Sequence, residues 1–111
     1  MLLVVDDDPE IRESLRSAFE DEGYRVRTAS DGLEALEVMI GEPPCAIVLD
    51  LMMPRMTGWQ VLDRMAADPV LASVPVCLLT AVPDALPSST ASVLKKPASL
   101  QELLDFVSRN C

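Results

Sequence analysis

The sequence predicts a doubly wound α/β domain, a five-stranded parallel sheet with helices on both faces. Three observations predict it. Short apolar runs, Leu2–Val5, Cys45–Leu49 and Val76–Leu79, recur along the chain and read as strands buried on both sides. Segments with apolar residues at helical spacing alternate with them, as crossover helices must. The first and third strands also end in acid, Asp6 and Asp50, as strands do when their carboxyl ends meet at a polar site.

Taken in order, Leu2–Val5 is the first strand. Asp8-Pro9 starts a helix, with Asp8 as cap and proline at the first helical position. Ile11, Leu15, Ala18 and Phe19 lie at helical spacing, and Gly23 closes the segment. Tyr24–Thr28 alternates between apolar and polar and reads as a less buried strand at an edge. Ser30-Asp31-Gly32 opens a second helix, with Leu33, Leu36 and Ile40 expected on its buried face and Gly41, Pro43 and Pro44 ending it. Cys45–Asp50 is the third strand, and residues 51–58 form a loop containing Pro54.

A third helix is expected over Gln60–Ala67, with Val61, Leu62 and Met65 inward and Asp68-Pro69 as its end. Pro75 introduces the fourth strand, which finishes at Thr80, and Val93–Lys95 is a brief fifth strand before Lys96-Pro97. Ser99 and Glu102 predict a capping box at the start of the final helix. That helix should bury Leu100, Leu103, Leu104 and Val107. Between Val82 and Ser92, Pro83 and Pro87 leave room for a helix of only one or two turns.

Length and composition narrow the function. The 111 residues are expected to make one domain, 1–111, with no repeat and no linker. The four aromatic residues are Phe19, Tyr24, Trp59 and Phe106, so the core must be mainly aliphatic. Eighteen acidic residues against nine basic give a net charge of −9, which opposes direct binding to nucleic acid or to an anionic membrane. With no histidine, a His-based metal site and a Ser-His-Asp triad are excluded. The odd number of cysteines, Cys45, Cys77 and Cys111, implies no disulfide framework. Cys45 and Cys77 read as buried free thiols and Cys111 as an exposed one. No run approaches the ~20 apolar residues of a membrane span, and the apolar start meets acid too early for a signal peptide, so a cytoplasmic setting is expected.

The chemistry follows from where the strands end. In a parallel sheet of this class, Asp6, Asp7, Asp50, Thr80 and Lys96 should converge on one edge. Close carboxylates repel, and a divalent cation removes that penalty. Mg²⁺ accepts such a set: Asp7 and Asp50 as direct ligands, Asp6 directly or through water, and the Met52 backbone carbonyl as a further oxygen. Asp50 can then attack a phosphoryl group and hold it as an acyl phosphate. Lys96 would neutralise charge on the transferred group, and Thr80 would donate its hydroxyl to it. Pro97 could aim Lys96 back at the site, and the Lys96-Pro97 bond is a candidate cis peptide. Singly these residues are a helix cap, a strand end, a β-branched strand residue and a solvated charge. The argument rests on their ordered occupation of sheet ends.

The motifs Val4-Val5-Asp6-Asp7-Asp8-Pro9, Leu49-Asp50-Leu51-Met52-Met53-Pro54 with Met56, Thr57 and Gly58, Leu79-Thr80-Ala81, and Lys96-Pro97 occur in that order through the whole chain. The set resembles the receiver domain of bacterial response regulators. The resemblance implies a flavodoxin-like sheet of order 2-1-3-4-5 with helix four shortened or absent. It also implies Asp50 as phospho-acceptor, Asp6 and Asp7 as the acidic pair for Mg²⁺, Thr80 as the switch hydroxyl and Lys96 as the family's lysine. The donor would be a sensor histidine kinase or a histidine phosphotransfer protein, and the output a downstream protein or a fused output domain. Such a protein catalyses its own phosphorylation and dephosphorylation and is not a conventional turnover enzyme.

Two departures fall on the family's usual output surface. Val93 stands where an aromatic switch residue is usual, and the stretch from Thr80 to Lys96 is short and carries two prolines. Met52 and Val82, two residues beyond Asp50 and Thr80, border the path of hydrolytic water in the family. Both are apolar here, so slow loss of phosphate is expected.

Three other readings compete. A receiver-like adaptor would keep the fold and signal without phosphorylation. A small Mg²⁺-dependent phosphatase would use Asp6 as nucleophile and Asp8 as acid-base partner, which requires Asp8 to be released from capping. A flavin-binding protein would need a phosphate-cradling loop after the first strand, where three aspartates stand instead.

Overall fold

The computed structural model describes residues 1–80, the backbone of Ser92–Lys95, and residues 99–111. The elements are β1 (Leu2–Val5), α1 (Pro9–Asp21), β2 (Val26–Ala29), α2 (Gly32–Gly41), β3 (Ala46–Asp50), α3 (Gly58–Ala66), a short 3₁₀ turn (Leu71–Ser73), β4 (Val76–Thr80), β5 (Ser92–Lys95) and α4 (Leu100–Asn110). All strand pairs are parallel, in the order β2-β1-β3-β4-β5. This is the expected flavodoxin-like arrangement, with β2 at an edge. The shortened fourth helix expected between Val82 and Ser92 lies outside the described residues, so α4 here is the chain's final helix.

Period-two alternation divides the core between the two faces of the sheet. Leu3, Val5, Ile47, Leu49 and Leu78 pack on one side with Ala35, Val38 and Met39 of α2 and with Val61 and Met65 of α3. Leu2, Val4, Val48, Cys77 and Leu79 pack on the other with Phe19 of α1 and with Leu103, Phe106 and Val107 of α4. The continuous apolar runs are thus a sheet buried on both faces.

The helix starts follow their sequence signals. Asp8 caps α1 by accepting from the Glu10 and Ile11 N–H groups, with Pro9 next to it. Asp31 caps α2, and of the capping box expected at α4 the Ser99 half is seen, its hydroxyl accepting from the Glu102 N–H at 3.1 Å. α3 begins two residues earlier than expected, because Thr57 and Gln60 form a capping box that makes Gly58 helical. Gly23, at φ +93°, takes the left-handed turn after α1.

The buried faces correct the sequence reading in two helices. In α2, Leu33 and Ile40 are exposed, Leu36 is half-buried, and Ala35, Val38 and Met39 face the sheet. In α4, Leu100 is exposed and Phe106 is buried in its place. Both helices carry apolar residues beyond a single stripe, so packing rather than periodicity selects the face. The cysteines supply a third correction. Cys45 and Cys111 form a disulfide across a sequence separation of 66, with Cα atoms 5.4 Å apart. Only Cys77 is a free buried thiol, and burial pushes it up to about 12, which makes it inert.

Candidate functional site

The parallel register brings the acids together. Val5 of β1 pairs with Leu49 of β3, and Asp6 and Asp50 are the next residue on each strand. Both continue the even-numbered series, Leu2 and Val4 in β1 and Ala46 and Val48 in β3, that points to the α1 side, so their carboxylates leave neighbouring strands on one face. Adjacent strands are about 4.8 Å apart. Oxygens of Asp6, Asp7 and Asp50 all lie within 4.8 Å of one another. Asp6 and Asp50 are 1% and 2% exposed, while Asp7 faces solvent.

The two buried acids are held by their surroundings. The Asp6 N–H donates to the Ala29 carbonyl at 3.2 Å, which extends the strand past β1. Asp6 Oδ1 accepts from the Asp8 N–H at 2.9 Å, and the Arg12 guanidinium donates to the Asp6 carbonyl at 2.9 Å. Asp50 Oδ1 accepts from the Met52 N–H at 3.3 Å. Leu51 donates to the Leu79 carbonyl at 3.2 Å, so the start of the β3–α3 loop is tied to the end of β4.

Thr80 ends β4, buried, one residue beyond the Asp50↔Leu79 pair. It therefore stands at the same sheet edge as the acids. Val93 is opposite Leu78 in β5, and Lys95 is opposite Thr80. Lys96 and Pro97, with the candidate cis peptide, lie outside the described residues, as do Val82 and the side chain of Val93.

Two residues at this edge were not anticipated from the sequence. Arg12, four residues after Asp8, rises from the first turn of α1 to hold the β1–α1 loop. Arg55 reaches from the β3–α3 loop to the buried Asp31 carboxylate. The partner of Arg12 is a backbone carbonyl six residues before it, which no side-chain spacing announces. The partner of Arg55 is 24 residues away, and no local pattern announces it.

Three carboxylates within a few ångströms are hard oxygen donors gathered at a cost in repulsion, and Mg²⁺ fits that donor set. The phosphatase reading fits poorly, because Asp8 is engaged in capping α1 and is not available as an acid-base partner.

Residues 2–108 match the family described as the response regulator receiver domain. The chain belongs to this family.

Response regulator MprA of Mycobacterium ulcerans is 40% identical over 109 residues, a match covering 93% of this chain and 46% of that protein. The receiver chain thus spans about half the length of such curated relatives. Among solved structures, response regulator TrrA of Thermotoga maritima, in complex with Mg²⁺-BeF, superposes with a TM-score of 0.87 at 32% identity, covering 99% of this chain and 97% of that one. The receiver domain of a signal transduction histidine kinase from Syntrophus aciditrophicus gives 0.88 at 29% identity, covering 97% and 86%. Receiver domains are Mg²⁺-dependent phospho-aspartyl switches rather than conventional turnover enzymes, and this chain shares that character. Among the described residues, no helix is long and apolar enough to cross a membrane.

Proposed function

We propose that residues 1–111 act as one receiver unit in which Asp50 accepts the phosphoryl group. The observation that carries this reading is the Asp6–Asp7–Asp50 cluster, with its oxygens within 4.8 Å at the carboxyl ends of β1 and β3. Asp6, Asp7, Asp50 and the Met52 carbonyl would hold Mg²⁺. When bound, the ion neutralises the carboxylates and the phosphoryl oxygens, so that two anions can approach.

An Asp50 carboxylate oxygen attacks the phosphorus of a phosphohistidine, forming the acyl phosphate as the phosphorus–nitrogen bond breaks. The donor imidazole departs with that electron pair. Asp50, 2% exposed at the end of β3 between β1 and β4, is held in place for that attack. Thr80 then donates its hydroxyl to a phosphoryl oxygen, and Lys96 offers the second cationic contact that the family resemblance assigns to it. The new hydrogen bond at Thr80 biases the surface around β5, with Val93 in place of the usual aromatic residue.

The donor is a sensor histidine kinase or a histidine phosphotransfer protein in the cytoplasm. The recipient of the signal is a downstream protein or an output domain in the same polypeptide. The charge of −9 argues against nucleic acid as a direct ligand of this unit.

The test is phosphorylation by acetyl phosphate, with and without Mg²⁺, read by intact mass. A Mg²⁺-dependent gain of about 80 Da, one phosphoryl group on a carboxylate nucleophile, is expected in the wild type and not in Asp50→Asn. No gain, together with no Mg²⁺ binding, would replace this reading with the phosphorylation-independent adaptor.

A further inference from the structure

The β3–α3 loop joins Asp50 to α3 and carries Met52. Its turn is closed from within: Met56 donates to the Pro54 carbonyl at 2.7 Å, and Gly58 donates to the Leu51 carbonyl at 3.0 Å. At its tip, Arg55 has φ +65°, the one positive value at a non-glycine among the described residues. A side chain is disfavoured there, and glycine would fit more easily. The long side chain at this position has a partner. Its guanidinium meets Oδ2 of Asp31, a carboxylate only 6% exposed, while Arg55 itself is 64% exposed.

Asp31 is divided between two tasks. Oδ1 accepts from the Glu34 N–H at 2.9 Å and caps α2, and Oδ2 takes Arg55. The contact is supported from beneath. A Cβ on Gly32 would stand 2.7 Å from Val61 and 2.8 Å from Met56, so the start of α2 lies directly against the loop and α3. The loop that leads away from the acceptor is therefore bolted to α2 through a buried carboxylate, at a backbone position that gains nothing locally from arginine.

We infer that Arg55 is a positioning residue for the cation site, acting through the loop that carries the Met52 carbonyl. This rests on the reading of Asp6, Asp7, Asp50 and Met52 as the Mg²⁺-binding set. Arg55 touches neither ion nor phosphoryl group. Its ion pair holds the loop in one arrangement, so that the Met52 oxygen need not be ordered when the ion arrives. Fixing a ligand from outside the coordination shell is worth a measurable share of metal affinity.

The experiment is calorimetric titration of Mg²⁺ into the whole chain, with thermal stability measured in parallel, for the wild type, Arg55→Gly, Arg55→Lys and Asp31→Asn. Arg55→Gly removes the pair, which costs stability, and relaxes the backbone, which restores some of it, so the parallel melt shows that the variant is folded at the temperature of the titration. Asp31→Asn keeps a good helix cap and removes the charge. Both are expected to weaken Mg²⁺ binding by about tenfold, the scale of a lost supporting contact. Arg55→Lys, which retains the cation, should stay within about twofold of wild type on the same basis.

Unchanged affinity in Arg55→Gly, with wild type binding normally, would overturn this inference and leave the acidic site standing. Equal weakening in Arg55→Lys and Arg55→Gly would overturn the ion-pair basis. Absence of Mg²⁺ binding in the wild type would overturn the site reading itself, and this inference with it.

Discussion

Cys45, at the foot of β3, is covalently joined to Cys111, at the end of α4, and the Cys45 N–H also donates to the Met1 carbonyl at 2.8 Å. The bridge therefore ties the final helix to the sheet at the end opposite Asp50. A cross-link over a sequence separation of 66 removes much chain entropy from the unfolded state. The loop-closure relation gives about 4 kcal/mol for this length. Reduction should lower the melting temperature by roughly 10–20 °C for a domain of this size. The double variant Cys45→Ser/Cys111→Ser should melt near the reduced protein and ignore reductant. In a reducing cytoplasm the dithiol form would be the working state, and phosphorylation of Asp50 should proceed in it. Melts with and without dithiothreitol decide the matter; identical curves would mean the bridge contributes nothing.

Gly58 and Gly41 should respond oppositely to alanine. A Cβ on Gly58 would stand 2.6 Å from Leu51 Cδ2, 2.8 Å from Leu51 Cα and 3.0 Å from the Asp50 carbonyl oxygen. The leucine side chain can rotate, but its backbone cannot move without carrying Asp50 with it. Gly58→Ala is expected to cost about 1–3 kcal/mol as an overpacked site and to slow acetyl phosphate labelling. At Gly41 nothing lies within 4 Å, and the residue is helical. Gly41→Ala should gain about 0.5–1 kcal/mol by restricting the unfolded chain. Urea unfolding of the two variants, paired with labelling rates, separates the positions.

Much of this organisation was readable because it is local or follows from the class of fold. Asp8, Asp31 and Ser99 announce their helices through short polar side chains that satisfy nearby amides. Asp6 and Asp50 could be placed together before any coordinates, since parallel strands carry their carboxyl ends to one edge. The buried face of α2 was not readable, because Leu33, Ala35, Leu36, Val38, Met39 and Ile40 offer several apolar stripes in a ten-residue helix. The choice falls to Ala35, Val38 and Met39, beside Gly32, whose missing side chain lets α2 approach Val61 and Met56. The Cys45–Cys111 and Asp31–Arg55 contacts join positions far apart in sequence, and they exist only once the sheet order has set the elements side by side.

Asp31 should leave a mark on acid stability. The Glu34 backbone N–H, and after it the Arg55 guanidinium, hold its carboxyl below the ordinary carboxylate range. A carboxylate with a lower pKa folded than unfolded adds stability above its unfolded value, near pH 4. That contribution fades as pH falls through the folded value. Below about pH 4, unfolding free energy should fall less steeply in Asp31→Asn, by at most about 1.4 kcal/mol per pH unit for one proton. Urea melts across the acid range measure it. Parallel pH dependence in the two proteins would mean that Asp31 titrates alike in the folded and unfolded states.

The lifetime of the phosphorylated form should depend on Met52. Its backbone N–H donates to Asp50 Oδ1, but its side chain is 62% exposed and ends in a thioether. A thioether is a weak acceptor and no donor, so it cannot orient a water for attack on the acyl phosphate. The family resemblance places this side chain, with that of Val82, beside the path such a water takes, and Val82 is equally apolar. Hydrolysis should then be slow, with a half-life of minutes or longer at neutral pH in the presence of Mg²⁺. Met52→Asn supplies both a donor and an acceptor without disturbing a buried contact. It should shorten the half-life by about tenfold, a modest part of what a positioned polar group contributes to proton-transfer catalysis. Release of inorganic phosphate from the purified phosphoprotein measures both. A wild-type half-life of seconds would show that water is oriented by another group, and an unaltered rate in Met52→Asn would remove Met52 from the hydrolytic path.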